Sequence, residues 1–249
     1  MSAISIVRSE TGIAIATDGI GYDSQGVVQG HVSKVAIMPE WSCAFANRGA
    51  GGACSAMHHA LVQIANRGVT ITGFDDVLAL MPPLSVELHA ALQAEGRSYP
   101  HFSFMIGGFS TERNRFETHS LRSRDFTFAI GEETIVQAAY TLAPLPESHF
   151  APTPSEDARK AAGLVLGGSE GPPEDGRHIA IRGVCAARLD KGATPDEPAD
   201  EDYSVGGFVQ LTTIFRDCIT SEIVHRWPDP FGEKVDPTRG DLLPGFLRG

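Results

Sequence analysis

The chain has 249 residues, of which 42% are hydrophobic and 20% charged, a composition typical of a globular protein rather than a disordered one. Its formal net charge of −11 argues against nucleic acid as a partner, because phosphate binding requires clustered lysine and arginine. The four cysteines show no C-x-x-C spacing, which predicts reduced thiols in a cytoplasmic protein.

Targeting segments are not indicated by the sequence. No apolar run approaches the roughly 18 residues that a membrane helix needs, and the N-terminus has no charged stretch followed by an apolar core. We therefore expect no secretory signal and no membrane partner.

The first 46 residues predict two pairs of strands. Alternating apolar and small residues over 3–7 and 13–17 predict an N-terminal hairpin. A glycine-containing stretch over 19–26 predicts a loop or a short ribbon. Residues 34–38 and 42–46 predict the second pair.

Two helices are predicted next. Apolar residues at helical spacing begin at Ala53 and stop at Gly68. A second helix is predicted over 74–92, with a kink or break at Pro82 and Pro83. The later predicted elements are a hairpin of 102–109 with 116–121, a strand over 126–130, helices over 132–142 and 156–166, and strands over 179–187 and 208–215.

The order of these elements predicts the fold class and the domain boundaries. Runs of strands that alternate with helix pairs favour antiparallel sheets covered by helices, an α+β fold. No linker separates two apolar blocks, so we predict one domain over 1–227, with an acidic mobile loop over 190–202. The Pro/Gly-rich residues 228–249 predict an extended C-terminal tail.

Three chemically complementary residues fall sixteen positions apart near the N-terminus: Ser2, Asp18 and Lys34. Removal of Met1 would leave Ser2 with a free α-amine, whose reference pKa near 7.7–8.0 lets it act as the base for its own hydroxyl. A neighbouring ammonium from Lys34 would favour the reactive forms, and Asp18 would hold that ammonium in place. This combination predicts a self-activating nucleophile.

Each of the three residues also has an ordinary structural explanation. A serine after the initiator methionine is common, an Asp-Gly after a strand is commonly a turn, and a lysine at the start of a strand is commonly solvated. The residue chemistry alone therefore leaves both interpretations open.

Short motifs surround the three residues. They are Ser-Ala-Ile-Ser-Ile-Val-Arg (2–8), Ile-Ala-Thr-Asp-Gly (15–19), Ser-Lys-Val (33–35), Ala-Phe-Ala (44–46), and Phe-Ala-Ile-Gly (128–131) followed by Gln-Ala-Ala (137–139). With these motifs the chain resembles the proteasome β-subunit family of N-terminal-nucleophile hydrolases, particularly the peptidase subunit of the bacterial two-component ATP-dependent protease. The resemblance is strongest over residues 2–65, fair to about 142 and weak beyond.

The resemblance implies a fold and a set of roles. The implied fold is a four-layer αββα sandwich of two antiparallel sheets. The implied nucleophile is Ser2, the acid Asp18 and the lysine Lys34, and the implied oxyanion donor is the N–H of Gly49, with Gly51 as the alternative. A peptide or amide substrate and a ring-shaped homo-oligomer are also implied. An ATPase partner is compatible with the resemblance, and neither a cofactor nor a metal is expected.

The chain departs from the family pattern in three ways. Ser2 replaces the usual threonine and lacks the methyl group that restricts the rotamer. Glu132 occupies the position of a supporting serine, where a carboxylate would raise the pKa of the amine and weaken it as a base. The family's second acid has no identifiable counterpart.

Other motifs point to different chemistry but lack the required context. Residues 167–171 match G-x-S-x-G, yet the nucleophile elbow needs a strand before it, and here a predicted helix precedes it. Residues 49–54 match only half of a dinucleotide fingerprint. His58 and His59 are adjacent, so they face different sides of a helix and make a poor metal site.

Two functional hypotheses therefore come from the sequence. One is a serine- or threonine-type N-terminal-nucleophile peptidase or amidohydrolase that acts through an acyl-enzyme. The alternative is a catalytically silent proteasome-like subunit with an assembly or structural role.

Overall fold

A computed structural model describes residues 2–23, 25–97, 99–130, 133–165, 175–191 and 202–248, with the backbone alone for 128–130 and 133–135. These residues form strands and helices that come in chain order as β1 (Ile4–Arg8), β2 (Ile13–Asp18), β3 (Ile20–Tyr22), β4 (Val28–His31), β5 (Val35–Met38), β6 (Cys43–Gly49), α1 (Ala53–Asn66), α2 (Phe74–Ala94), β7 (Phe102–Ser110), β8 (Arg115–Arg122), β9 (Phe126–Ile130), β10 (Glu133–Gln137), β11 (Leu142–Pro144), β12 (Ser148–Ala151), α3 (Glu156–Ala161), α4 (Gly176–Ala187), β13 (Phe208–Ile214) and β14 (Ile219–Arg226).

Two five-stranded antiparallel sheets organise the chain. The first has the strand order β12-β1-β2-β13-β14, and the second has the order β11-β8-β7-β6-β5. Two separate ribbons pair β3 with β4 and β9 with β10. The mixture of helices and strands and the antiparallel pairing of the sheets agree with the predicted α+β class.

The central strands are buried on both faces. In β1, Ile4 and Ile6 belong to an apolar cluster that also contains Ala44 and Met105 of the second sheet. The alternate residue Val7 packs in a cluster with α4. Because successive side chains of a strand point to opposite faces, β1 contacts the other sheet on one side and a helix on the other.

The second sheet has the same arrangement. Ala44 and Ala46 of β6 face the first sheet, whereas Cys43 and Phe45 join a cluster with α1 and α2. These layers of packing place the ends of β2 and β6, and the start of β5, in one region of the molecule.

Two strands replace the predicted helix over 132–142. β10 pairs with β9, and β11 pairs with β8 at the edge of the second sheet. The run Thr134-Ile135-Val136 is β-branched, which favours a strand because such side chains are restricted in a helix. The helical interpretation of this segment was wrong.

A helix replaces the predicted strand over 179–187. The buried residues Ala180, Ile181, Val184 and Cys185 lie on one helical face, and the side chain of Asp175 caps the N-terminus by accepting a hydrogen bond from a backbone N–H. The β-branched residues suggested a strand, but the spacing of the whole segment is helical.

The other predicted helices differ in their ends. α2 is continuous through Pro82 and Pro83, so the predicted break does not occur. α3 ends at Ala161 rather than at 166, and Gly163 follows it with a φ of +62°. Gly163 allows the chain to leave the helix in a left-handed conformation.

α2 is long and apolar enough to cross a membrane by length and composition alone. Core helices pass the same test, and α2 buries eight residues, six of which, among them Phe74 and Met81, belong to the cluster that it shares with α1 and the second sheet.

The segment after β14 lies against α4 and the first sheet. Trp227 and Leu247 are buried in the cluster that contains α4 residues, and Asp229 is also buried. Residues 192–201 of the predicted acidic loop lie outside the described residues. The division of the chain after residue 227 stays a prediction.

Candidate active site

The carboxylate of Asp18 is fully buried at the end of β2 and accepts hydrogen bonds from four residues. Lys34 Nζ donates to both oxygens, at 2.8 Å to Oδ1 and 2.7 Å to Oδ2. The Ala3 N–H donates to Oδ1 at 2.8 Å. Two weaker backbone donors, the N–H groups of Ile20 at 3.4 Å and Gly206 at 3.5 Å, complete the set around Oδ2.

The strand register explains why these groups meet. β1 and β2 pair antiparallel with Ile4 opposite Thr17, so the residues just before β1 lie beside the end of β2. Ser2 is therefore adjacent to the residue whose N–H binds Asp18, and Ser2 itself is 9% exposed. Lys34 immediately precedes β5 and reaches the same region.

The backbone of Lys34 is fixed from two sides. Its carbonyl accepts a hydrogen bond from the Asn47 N–H at 3.0 Å and a weak one from the Cys54 thiol at 3.6 Å. Burial raises the pKa of that thiol to about 12, so Cys54 stays protonated and can donate. This contact links the start of α1 to the lysine.

Electrostatically, Lys34 is subject to opposing influences. Burial lowers the pKa of Lys34 because desolvation disfavours the ammonium, and the Asp18 carboxylate raises it. The nearby Arg48 guanidinium lowers the pKa of Lys34 further, and the net direction is downward. The result is a cation that a carboxylate holds in place and whose charge is easily perturbed.

The glycine turn that follows β6 has the conformation only glycine tolerates. Gly49 has a φ of +94°, and a Cβ there would lie 2.3 Å from the carbonyl oxygen of His101. The N–H of Ala50 donates to this carbonyl at 2.7 Å. Every second N–H of a strand points to the same side, so the Gly49 N–H at the end of β6 lies on the side of the Asn47 N–H, which donates to the Lys34 carbonyl.

The structure thus brings together the neighbourhood of Ser2 with Asp18 and Lys34, and it directs the Gly49 N–H toward the lysine side of β6. The roles of these residues stay predictions. Met1, Glu132 and the 167–171 motif lie outside the described residues. His59 is exposed, His58 is partly buried, and no group of three metal-ligating side chains occurs within the described ranges.

The sequence interpretation did not identify the loop that precedes β13. Residues 204–207 are buried, and the Gly206 N–H approaches Asp18 Oδ2. The Gly206 carbonyl accepts a hydrogen bond from the Gly19 N–H at 3.2 Å. The paired glycines before a strand were the available signal, because they permit such a close backbone approach.

No family model and no curated protein matches the chain in sequence. Among solved structures, the chain is similar to a Gly-1 mutant of Anbu, a proteasome-like protein, from Hyphomicrobium sp. strain MC1. The two are 12% identical, the match covers 90% of this chain and 88% of the Anbu chain, and the TM-score is 0.56. Similarity at this level of identity shows the fold alone, and it supports a proteasome β-subunit-like fold for this chain.

Proposed function

We propose that the protein is an N-terminal-nucleophile hydrolase of peptide or amide bonds, built as a four-layer αββα sandwich. Ser2 is the proposed nucleophile once Met1 has been removed. The observation that carries the proposal is the contact of Lys34 Nζ with both oxygens of the buried Asp18. The same carboxylate accepts the N–H of Ala3, the residue that follows Ser2 in the chain.

The buried ion pair suits the activation of an N-terminal serine. A cation near the α-amine lowers the pKa of that amine, so more of it is neutral and able to take a proton near neutral pH. The carboxylate of Asp18 keeps Lys34 charged and fixed, which offsets the desolvation of its ammonium. Neither Lys34 nor Asp18 needs to exchange a proton with the substrate.

The proposed reaction proceeds through an ester. The Ser2 hydroxyl oxygen attacks the carbonyl carbon of the substrate, and its proton passes to the α-amine. The resulting ammonium gives this proton to the leaving nitrogen as the C–N bond breaks, which leaves an acyl ester on Ser2. Water then attacks the ester, gives a proton to the amine, and releases the carboxylic acid as Ser2 recovers its hydrogen.

The oxyanion of the tetrahedral intermediates is assigned to the Gly49 N–H. Preorganised backbone donors are effective there because they require no reorganisation as the negative charge forms. The orientation of this N–H toward the Lys34 side of β6 supports the assignment. By the same likeness we propose a homo-oligomer, a peptide or amide substrate and a cytoplasmic location.

The test begins with the N-terminus. Mass spectrometry of the purified protein should show loss of Met1, and a β-lactone or peptide-epoxyketone probe should then label Ser2. Ser2→Ala should abolish labelling, whereas Ser9→Ala, at the far end of the same hairpin, should leave it unchanged. Retention of Met1, or removal without labelling, would contradict the proposal and favour a catalytically silent proteasome-like subunit.

A further inference from the structure

A second buried ion pair lies behind the loop that contacts Asp18. Arg188 follows the last residue of α4, and Asp229 comes shortly after β14. The two guanidinium nitrogens of Arg188 bind the two carboxylate oxygens of Asp229, at 2.9 Å and 2.8 Å. Both side chains have 0% exposure. This bidentate geometry is the strongest form of a charge-assisted contact.

The pair holds both sides of the 205–207 loop. Arg188 donates to the Val205 carbonyl at 2.8 Å, and Asp229 accepts from the Gly207 N–H at 2.7 Å. Gly206 lies between these two anchors. Its N–H is the one that approaches Asp18, so the ion pair and the site carboxylate contact the same three-residue loop from opposite sides.

The space around Gly206 leaves the loop little freedom. A Cβ on Gly206 would lie 2.4 Å from Asp229 Oδ2 and 3.0 Å from a guanidinium nitrogen of Arg188. On the other side, the Gly206 carbonyl accepts the N–H of Gly19, the residue that follows Asp18. Any movement of the ion pair is therefore transmitted to the backbone on either side of the Asp18 carboxylate.

Stability alone is a weak reason for such a pair. Removing two charges from water is costly, and a buried ion pair can be replaced by apolar residues with little loss of stability. What distinguishes this pair is the set of backbone groups that it binds, which also includes the Asp236 carbonyl, to which Arg188 donates at 2.8 Å. The guanidinium is held from a further side by the Trp227 ring, whose centroid lies 4.6 Å away.

We propose that Arg188 and Asp229 are positioning residues, which hold the 205–207 loop against Asp18 and thereby fix where Lys34 places its ammonium beside Ser2. This inference rests on the proposed function for the roles of Asp18 and Lys34. The geometric part of it, from the ion pair to Asp18, is independent of any activity.

The test combines a conformational measurement with a kinetic one. Asp229→Asn keeps the size of the side chain and removes the charge. Arg188→Lys keeps the charge and removes the planar guanidinium that binds both carboxylate oxygens. The matched control is Arg239→Gln, which breaks the exposed ion pairs of Arg239 with Glu233 and Asp236 in the same C-terminal segment. Each protein is examined by amide hydrogen exchange and by the pH dependence of labelling with the β-lactone probe.

We expect exchange at Gly19, Gly206 and Gly207 to accelerate at least tenfold in Asp229→Asn, and labelling to slow by about tenfold to a hundredfold. The pH midpoint of labelling should rise by about one unit, because Lys34 is less well held and the pKa of the α-amine rises. Arg188→Lys should show smaller changes in the same direction. A merely structural role would lower the labelled fraction without moving that midpoint.

Unchanged exchange at these glycines in both variants would overturn the positioning role, as would an unchanged pH midpoint in a labelled protein. If Asp229→Asn does not fold, Arg188→Lys decides the question by the same two measurements. If the wild-type protein without Met1 is not labelled, the proposed function fails, and the exchange data still decide whether the ion pair positions the loop beside Asp18.

Discussion

The two buried ion pairs of this protein use the same chemistry in different ways. Lys34 and Asp18 join the start of β5 to the end of β2, whereas Arg188 and Asp229 join the end of α4 to the C-terminal segment. The first pair has side chains 9% and 0% exposed, and the second has both at 0%. Both carboxylates also accept backbone N–H groups of the 206–207 loop.

The difference lies in the cations. An ammonium is a compact charge whose pKa responds to burial, whereas a guanidinium stays charged and presents a rigid planar fork. Lys34 therefore suits a site where the charge must influence a neighbouring amine, and Arg188 suits a site where several acceptors must be held at fixed angles. Two ion pairs that are buried to a similar extent can therefore have different roles, one in tuning a neighbouring group and the other in holding the backbone in place.

The largest effect should come from breaking the first pair. Lys34→Ala removes the cation that binds Asp18 and leaves this carboxylate buried without its ionic partner, so labelling of Ser2 should slow by roughly 10²- to 10⁴-fold if the proposed roles hold. Kinetics with the β-lactone probe measure this directly. Lys160→Ala, which removes an exposed ion pair of α3, is the control. Labelling of Lys34→Ala at the wild-type rate would exclude the assigned role.

Breaking the second pair should cost stability first. Arg188→Met leaves a charged carboxylate with no exposure, and we expect the free energy of unfolding to fall by about 3–5 kcal/mol. Urea denaturation of this variant and of the double variant Arg188→Met/Asp229→Leu separates the two contributions. The double variant should recover much of the loss, because no buried charge then lacks a partner. A double variant as unstable as the single one would show that the backbone contacts dominate.

How well each pair could be predicted follows from its sequence context. Asp18 ends β2 of the first sheet, and Lys34 immediately precedes β5 of the second, so each lies at a strand end and the packing of the two sheets brings them together. The strand pattern of the first 46 residues predicted the N-terminal hairpin, and the complementary charges of Asp18 and Lys34 predicted their contact. The glycine turn after β6 was recognisable for the same reason.

The second pair could not be predicted from the sequence. Arg188 and Asp229 are separated by 41 residues, and their contact depends on α4, which the β-branched residues Ile179 and Ile181 made resemble a strand. The position of Asp229 depends on a Pro/Gly-rich segment whose local pattern indicates no regular element. Tertiary packing decides both, and neither periodicity nor turn chemistry encodes it locally.

His149, a partly buried imidazole, sharpens the comparison because its charge changes in the accessible pH range. Burial lowers the pKa of His149 to about 4, and Arg122 and Arg48 act in the same direction. The unfolded chain binds a proton near pH 6.5, so between pH 6.5 and 4 it binds more protons than the folded protein. The stabilisation is therefore complete above about pH 6.5 and is lost as the pH falls towards 4.

We expect this titration to cost about 3 kcal/mol of unfolding free energy between pH 7 and pH 4. Urea denaturation at a series of pH values measures it. His149→Gln cannot take up the proton, so its stability should depend less steeply on pH over this window. An identical pH dependence in the variant would mean that other groups account for the acid sensitivity.

The smallest effect should come from an ion pair that is also formed by an arginine and a carboxylate but lies at the surface. Arg239 and Glu233 belong to the same C-terminal segment and form a contact of 2.7 Å, but their side chains are 41% and 52% exposed. Salt screens the attraction between these two exposed charges, and water solvates the remaining charge when the pair is broken. Arg239→Gln should therefore unfold at the wild-type urea concentration, at low and at high ionic strength.

Because Arg188→Met removes the same type of cation from the interior, the difference between the two variants measures the effect of burial. A loss in Arg239→Gln comparable with that in Arg188→Met would mean that the C-terminal segment depends on charge at its surface, and that burial is not what distinguishes the second pair.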